Sequence, residues 1–205
     1  MGRATARPPV ETPSELNAPL FRSLAEQLGD GRRRVVLDLG PASTAMLSLL
    51  GRSPCRVGIA DLVRGDEIDS LNAAESTEER VALAHALLPE HDPEHPVDIV
   101  LCWDLPNYLH PAAMAALMSV IAARANVRAI AHALVVYSER SMPKRPGHFV
   151  PIDGFRLVNR AVDPTEVPAP RHSSEALNRS MGGFIIDRVR LLANGMQEYL
   201  FCIPD

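Results

Sequence analysis

Arg34-Val35-Val36-Leu37-Asp38-Leu39-Gly40-Pro41-Ala42-Ser43-Thr44 is the stretch on which the reading of this chain turns. A short apolar run that stops at Gly-Pro has the character of a strand buried on both faces and entering a turn. Ser43 or Thr44 can cap the helix expected next, whose apolar face comes from residues 45–50 and which Gly51 ends. Residues 56–60 form a second strand closing on Asp61, at about the spacing of a minimal βαβ unit, ~30 residues. A crossover of that length predicts parallel pairing of the two strands.

The same alternation continues outward. Residues 97–103 form the next clear strand, stopping at Asp104 and Pro106, and residues 111–125 an Ala- and Met-rich helix with Pro111 in its first turn. A further strand is expected over 129–137. Between the second and third of these strands, a helix over 76–87 is capped by Ser76 or Thr77, and residues 89–96 are a Pro- and His-containing loop. Upstream, Leu16, Leu20, Leu24 and Leu28 recur at intervals of four, so a helix is predicted from a Ser14 cap to Gly29, interrupted by Pro19. Downstream, 141–147 reads as a loop and 173–180 as a short capped helix. Two strands over 184–192 and 196–203 then meet at Asn194-Gly195, a strong hairpin signal. The predicted class is α/β: a doubly wound, mostly parallel sheet with helices on both faces and a C-terminal antiparallel hairpin. Residues 1–13, rich in Pro, Arg and Thr, are expected to be a flexible tail, with 14–205 forming one domain.

Bulk properties narrow the function classes. The 205 residues are 46% hydrophobic and 22% charged with a net charge of −4, an ordinary globular balance. Basic residues are scattered, which removes the concentrated basic face that non-specific nucleic-acid binding needs. The three cysteines, Cys55, Cys102 and Cys202, are far apart and offer neither a disulfide framework nor a C-x-x-C motif. No apolar run reaches the ~20 residues of a membrane span. A cytoplasmic location without membrane association is therefore expected.

Four local features together resemble the class I S-adenosylmethionine-dependent methyltransferase superfamily. Val35–Gly40 is similar to its first motif, Asp61 stands at the end of the second strand, residues 98–104 (Asp-Ile-Val-Leu-Cys-Trp-Asp) resemble its fourth strand, and the final hairpin resembles its last two. The resemblance covers about residues 31–203. It implies S-adenosyl-L-methionine as cofactor, an unidentified small-molecule or protein substrate, and Asp38, Gly40, Ala42, Asp61 and Trp103 as the residues around the cofactor. Asp38 would organise the motif near the methionine end, and Asp61 would accept hydrogen bonds from the ribose hydroxyls, two acceptors for two vicinal donors. The sequence departs from the family's glycine pattern, with Gly40, Ala42 and Thr44 where three glycines are usual. That departure opens an alternative from another class: a catalytically inactive methyltransferase-like scaffold or partner-binding subunit.

Trp103, Asp104, Asn107, Tyr108 and His110 follow the 97–103 strand, where substrate-facing groups belong in such a sheet. Asp104 or His110 is the candidate catalytic base for an O–H or N–H nucleophile. The same residues also read as a core Trp, a loop-capping Asp and a helix-flanking His. His85, His91 and His95 with Asp92 and Glu94 read as a solvated loop rather than a metal site, since only His91 and His95 are close in sequence. Lys144, Arg145 and His148, with Arg140 nearby, form the most basic segment and read as a solvated loop or as a contact for an anionic substrate or a partner.

Overall fold

The computed structural model describes residues 14–153, 156–163 and 165–205; the tail expected over 1–13 lies outside them. In chain order the elements are β1 (Ser14–Asn17), α1 (Pro19–Leu28), β2 (Arg34–Asp38), α2 (Thr44–Leu50), β3 (Cys55–Ile59), α3 (Glu67–Ala73) and α4 (Thr77–Leu87). After these come β4 (Val97–Trp103), a 3-10 turn (Leu105–Asn107), α5 (Pro111–Ala122), β5 (Ala125–Val136), β6 (Ser141–Pro143), β7 (His148–Pro151) and β8 (Arg156–Arg160). The chain closes with β9 (Glu166–Pro168), α6 (Ser174–Ser180), β10 (Ile185–Leu191) and β11 (Met196–Cys202).

Six strands make the central sheet in the order β3-β2-β4-β5-β11-β10. The pairs β2/β3, β2/β4 and β4/β5 are parallel, whereas β11 runs antiparallel to both β5 and β10. The predicted parallel βαβ unit and antiparallel hairpin are thus both present, with β11 inserted between β5 and β10. Strand β4 lies at the centre and shows why its sequence is apolar without alternation. Val100 and Cys102 join the core that includes Leu117 and Ile121 of α5; Ile99, Leu101 and Trp103 join the core that includes Phe21 and Leu24 of α1 and Met46 of α2. Each face of the sheet has its own packed layer. No helix among the described residues is long and apolar enough to cross a membrane.

Two expectations are corrected by the structure, and two elements are new. Ser14 does not cap a helix: residues 14–17 pair antiparallel with β8, and α1 begins at Pro19, whose missing N–H and fixed φ suit the first helical position. The segment 141–147 is not wholly loop, since Ser141–Pro143 pairs with β9. The small sheet β1-β8-β7 was not foreseen. Its strands carry few apolar residues, and their pairing joins segments remote in sequence. Helix α3 was likewise missed because only Ile68 and Leu71 are buried on it, too few to show a period.

The start of α1 is held from a distance. Its N-cap, Ala18, is fully buried and supplies no side-chain bond. Instead the buried carboxylate of Glu198, on β11, accepts from Leu20 N (2.9 Å) and Phe21 N (2.7 Å), and from Nε2 of the buried His132 (2.9 Å). These orphan helix N–H groups would otherwise be left unbonded in the core. At the far end of the sheet, Gly182 has φ +57 and a Cβ there would collide with the backbone of Ser119 on α5, so only glycine lets the α6 terminus approach α5. Glu198→Ala is expected to cost about 3–5 kcal/mol of stability, with Glu198→Gln losing less because an acceptor remains. Urea midpoints at unchanged m-value measure both.

Candidate functional site

From β2 the chain crosses to β3 on one side and later to β4 on the other, so the carboxyl ends of β2 and β4 flank the topological switch point of the sheet, where open α/β folds bind ligands. Asp38, the last residue of β2, is buried there. Its Oδ1 accepts from Gly40 N (2.9 Å) and from the indole Nε1 of Trp103 (2.6 Å). Burial raises the Asp38 carboxyl above the ordinary range, although both hydrogen bonds oppose the shift.

Gly40 does not have positive φ. Glycine is required by space instead: a Cβ at this position would lie 2.7 Å from both Cδ1 and Nε1 of Trp103. Neither Ala42 nor Thr44 has positive φ, and both are exposed. The backbone of this turn therefore accepts non-glycine residues without strain. Of the two possible caps, Ser43 is the one used, its Oγ accepting from Met46 N at 3.1 Å.

Two non-glycine residues at this edge, Asp61 (φ +48) and Trp103 (φ +51), sit in the left-handed region. Such conformations cost of order 1–3 kcal/mol and gather at functional sites. Asp61 lies just beyond β3; its Oδ2 is 3.2 Å from Arg64 Nε, while Oδ1 is buried without a hydrogen-bond partner among the described residues. His148 of β7 is kept below the usual imidazole range, chiefly by burial and then by the charges of Arg160 and Arg64, against the opposing pull of Asp61. Its Nε2 is buried without a partner, as is Oδ1 of Asn159 on β8. The indole of Trp103 stacks on Phe149 of β7, with ring centres 5.9 Å apart and planes 3° apart. The small sheet thus folds over the switch point.

Next to Trp103, Asp104 is buried; Oδ2 accepts from Gly147 N (2.9 Å) and Oδ1 has no partner among the described residues. Burial pushes its carboxyl up to about 7. Asn107 fixes this corner, donating to the carbonyls of Asp104 (2.9 Å) and Leu134 (3.0 Å) and accepting from Val136 N (2.9 Å). The Tyr108 hydroxyl donates to Pro143 O at 3.0 Å, and burial followed by the charge of Asp104 raises its phenol. Tyr108, Lys144 and Arg145 line a recess of about 110 Å³ with Ile68, Asp69 and Pro146. His110, by contrast, is exposed at the start of α5, where its backbone N donates to Asn72 Oδ1 (2.7 Å). The two candidate bases thus stand in opposite environments, one buried and one in solvent.

The structure also places the other sequence features. His95 bonds Asp92, which pairs with Arg56, while His85 bonds Arg124; these are separate networks. Arg145 donates to Gly65 O and leaves the basic segment tied to the loop after Asp61. Asn159 and Gly147 escaped the sequence reading because nothing in their neighbourhood marks them before β7 and β8 pair. The raised Asp104 carboxyl makes a checkable prediction. Between the unfolded value near 3.8 and the folded value of about 7, the folded state holds the extra proton. The stability contribution is therefore greatest below pH 4 and is lost progressively as pH rises to 7, a change of about 4 kcal/mol. Asp104→Asn is expected to flatten the stability–pH slope in that window, as read by urea unfolding at a series of pH values.

A solved structure of an S-adenosylmethionine-dependent methyltransferase from Clostridium acetobutylicum matches this one with a TM-score of 0.52 and 11% identity, over 92% of this chain and 93% of that one. Also similar are 1,6-didemethyltoxoflavin-N1-methyltransferase from Burkholderia thailandensis (TM-score 0.49, 17% identity, 90% of this chain and 78% of that one) and an amino pentose methyltransferase from Micromonospora echinaspora (TM-score 0.48, 16% identity, 90% of each chain). No family model and no curated protein matches the sequence. At these identities what is shared is architecture, and the strand order, the antiparallel β11 and the match to the Clostridium enzyme agree: the chain has the fold of the class I methyltransferases.

Proposed function

We propose that this chain is a methyltransferase that uses S-adenosyl-L-methionine and acts on a small molecule or protein carrying an N–H or O–H nucleophile. The observation that carries this reading is Asp61, held at φ +48 beside the switch point with Oδ1 buried and unpartnered. A buried polar atom without a partner is rare in finished cores, and a carboxylate oxygen there suits the vicinal hydroxyls of a ribose. The nucleoside half of the cofactor therefore fits the residues present. The fold of the Clostridium methyltransferase adds support for the class.

When bound, S-adenosylmethionine supplies an electrophilic methyl on a sulfonium centre. The protein's own work is then positioning and proton removal. Asp61 would hold the ribose. Asp104, with a carboxyl near 7 and one free oxygen, is the better match for a base, and His110 stands at the exposed rim. Lys144 and Arg145 lie on the recess with Tyr108, where Asp69 offsets part of their charge.

A second reading, an inactive scaffold, is favoured by one observation: the indole of Trp103 fills the space over Gly40 and occupies Asp38. Calorimetry with S-adenosylhomocysteine separates the two. Binding is expected, with Asp61→Asn weakening it by about tenfold or more, the worth of hydrogen bonds to a charged group. At 100 times the dissociation constant the ligand should stabilise the fold by about 2.7 kcal/mol. A chain that takes up no adenosyl ligand at millimolar concentration would be the scaffold.

A further inference from the structure

At the switch point Asp61 keeps one buried oxygen without a partner among the described residues, whereas Asp38 Oδ1 is taken by the Trp103 indole. We infer that Trp103 is the specificity-determining stopper of the amino-acid half: with its indole on Asp38 the site admits a nucleoside, and a nucleoside carrying an amino-acid tail enters only as the indole leaves. The inference rests on the adenosyl-binding reading above and adds to it a residue that decides which adenosyl ligand is accepted.

Three observations place the stopper. The indole lies against the backbone of Gly40, close enough that a Cβ would be 2.7 Å from two of its atoms, so the room that a glycine turn leaves for a ligand is taken by a side chain. Its only N–H is spent on Asp38 Oδ1 at 2.6 Å, the carboxylate at the switch point itself. The ring is then clamped from above by Phe149, 5.9 Å away and nearly coplanar in orientation, on a strand belonging to the small β1-β8-β7 sheet rather than to the central one.

Two further observations separate a stopper from an ordinary core tryptophan. Its backbone is strained at φ +51, and the β4/β5 register shifts between Leu101 and Trp103, so the position is held against local preference. Around it the closed arrangement leaves hydrogen-bonding capacity unused on Asp61, Asp104, His148 and Asn159. Buried polar atoms usually find a partner, so these four mark where a ligand's polar groups can bond. Displacing the indole frees Asp38 Oδ1 to accept from a cationic α-amino group, a stronger partner than a neutral indole N–H.

Trp103 is the only tryptophan in the chain, so its emission reports on the stopper directly. The test compares S-adenosylhomocysteine, which carries the amino-acid tail, with 5′-methylthioadenosine, which lacks it, on wild type, Trp103→Phe and Trp103→Ala. Circular dichroism and unfolding curves confirm that each variant is folded. In wild type, S-adenosylhomocysteine is expected to red-shift the tryptophan emission as the indole leaves its buried stack, while 5′-methylthioadenosine leaves it in place. Trp103→Ala is expected to bind S-adenosylhomocysteine at least tenfold tighter than wild type, with affinity for 5′-methylthioadenosine changed less than threefold. Trp103→Phe, which keeps the ring but frees Asp38, should fall between. Equal effects on the two ligands, or tight S-adenosylhomocysteine binding to wild type without an emission change, would overturn the stopper and leave the adenosyl reading standing. Failure of both ligands on all three proteins would overturn both.

Discussion

The hydrogen bond from the Trp103 indole to Asp38 ties the carboxyl ends of β2 and β4 together at the point where the sheet changes direction. Much of the surrounding geometry follows from it. Gly40 must lack a side chain because the indole lies on it, and Phe149 brings the small sheet down because the indole offers a flat apolar face. Trp103 itself holds a backbone conformation that tryptophan does not favour. Where a ligand site would open in this fold, the protein has placed its own aromatic ring.

Carboxylates are treated in two ways in this molecule. Glu198 is fully satisfied, accepting from two helix N–H groups and His132, and serves as the cap of α1. Asp61 and Asp104 each keep one oxygen on a partner and one without. The first pattern is that of a structural group, whose removal leaves donors stranded; the second is that of a group with capacity in reserve. The satisfied carboxylate sits under α1, whereas Asp61 and Asp104 lie just after β3 and β4.

Much of the central sheet was legible from the sequence because its signals are local. Val97–Trp103 matches the expected strand, Ser76 and Ser173 cap the helices assigned to them, and Asn194-Gly195 turns the final hairpin. Boundaries moved by a few residues where propensity and packing compete, as in β5, which starts at Ala125 rather than 129. Elements that depend on remote partners were not legible. Strand β1 reads as helix from its leucine spacing until β8 supplies its hydrogen bonds, and the N-terminal cap of α1 comes from β11. The candidate residues followed the same rule: Asp38, Gly40 and Asp61 are singled out by motif, whereas Asn159 and Gly147 acquire their places only when β7 and β8 fold over.

What the sequence alone determined was the alternation of buried strands and capped helices, and with it the sheet, its parallel pairing and the edge at which a ligand would meet it. Those properties depend on apolar runs, caps and turn residues within a few positions of one another. Only the tertiary structure decided the state of that edge. Ala42 and Thr44 stand out on the page as missing glycines, yet their backbone is unstrained; Gly40 is constrained by a ring 63 residues further along the chain, at Trp103. The physical reason is that close approach of two side chains from different strands leaves no trace in either stretch of sequence until the strands pair.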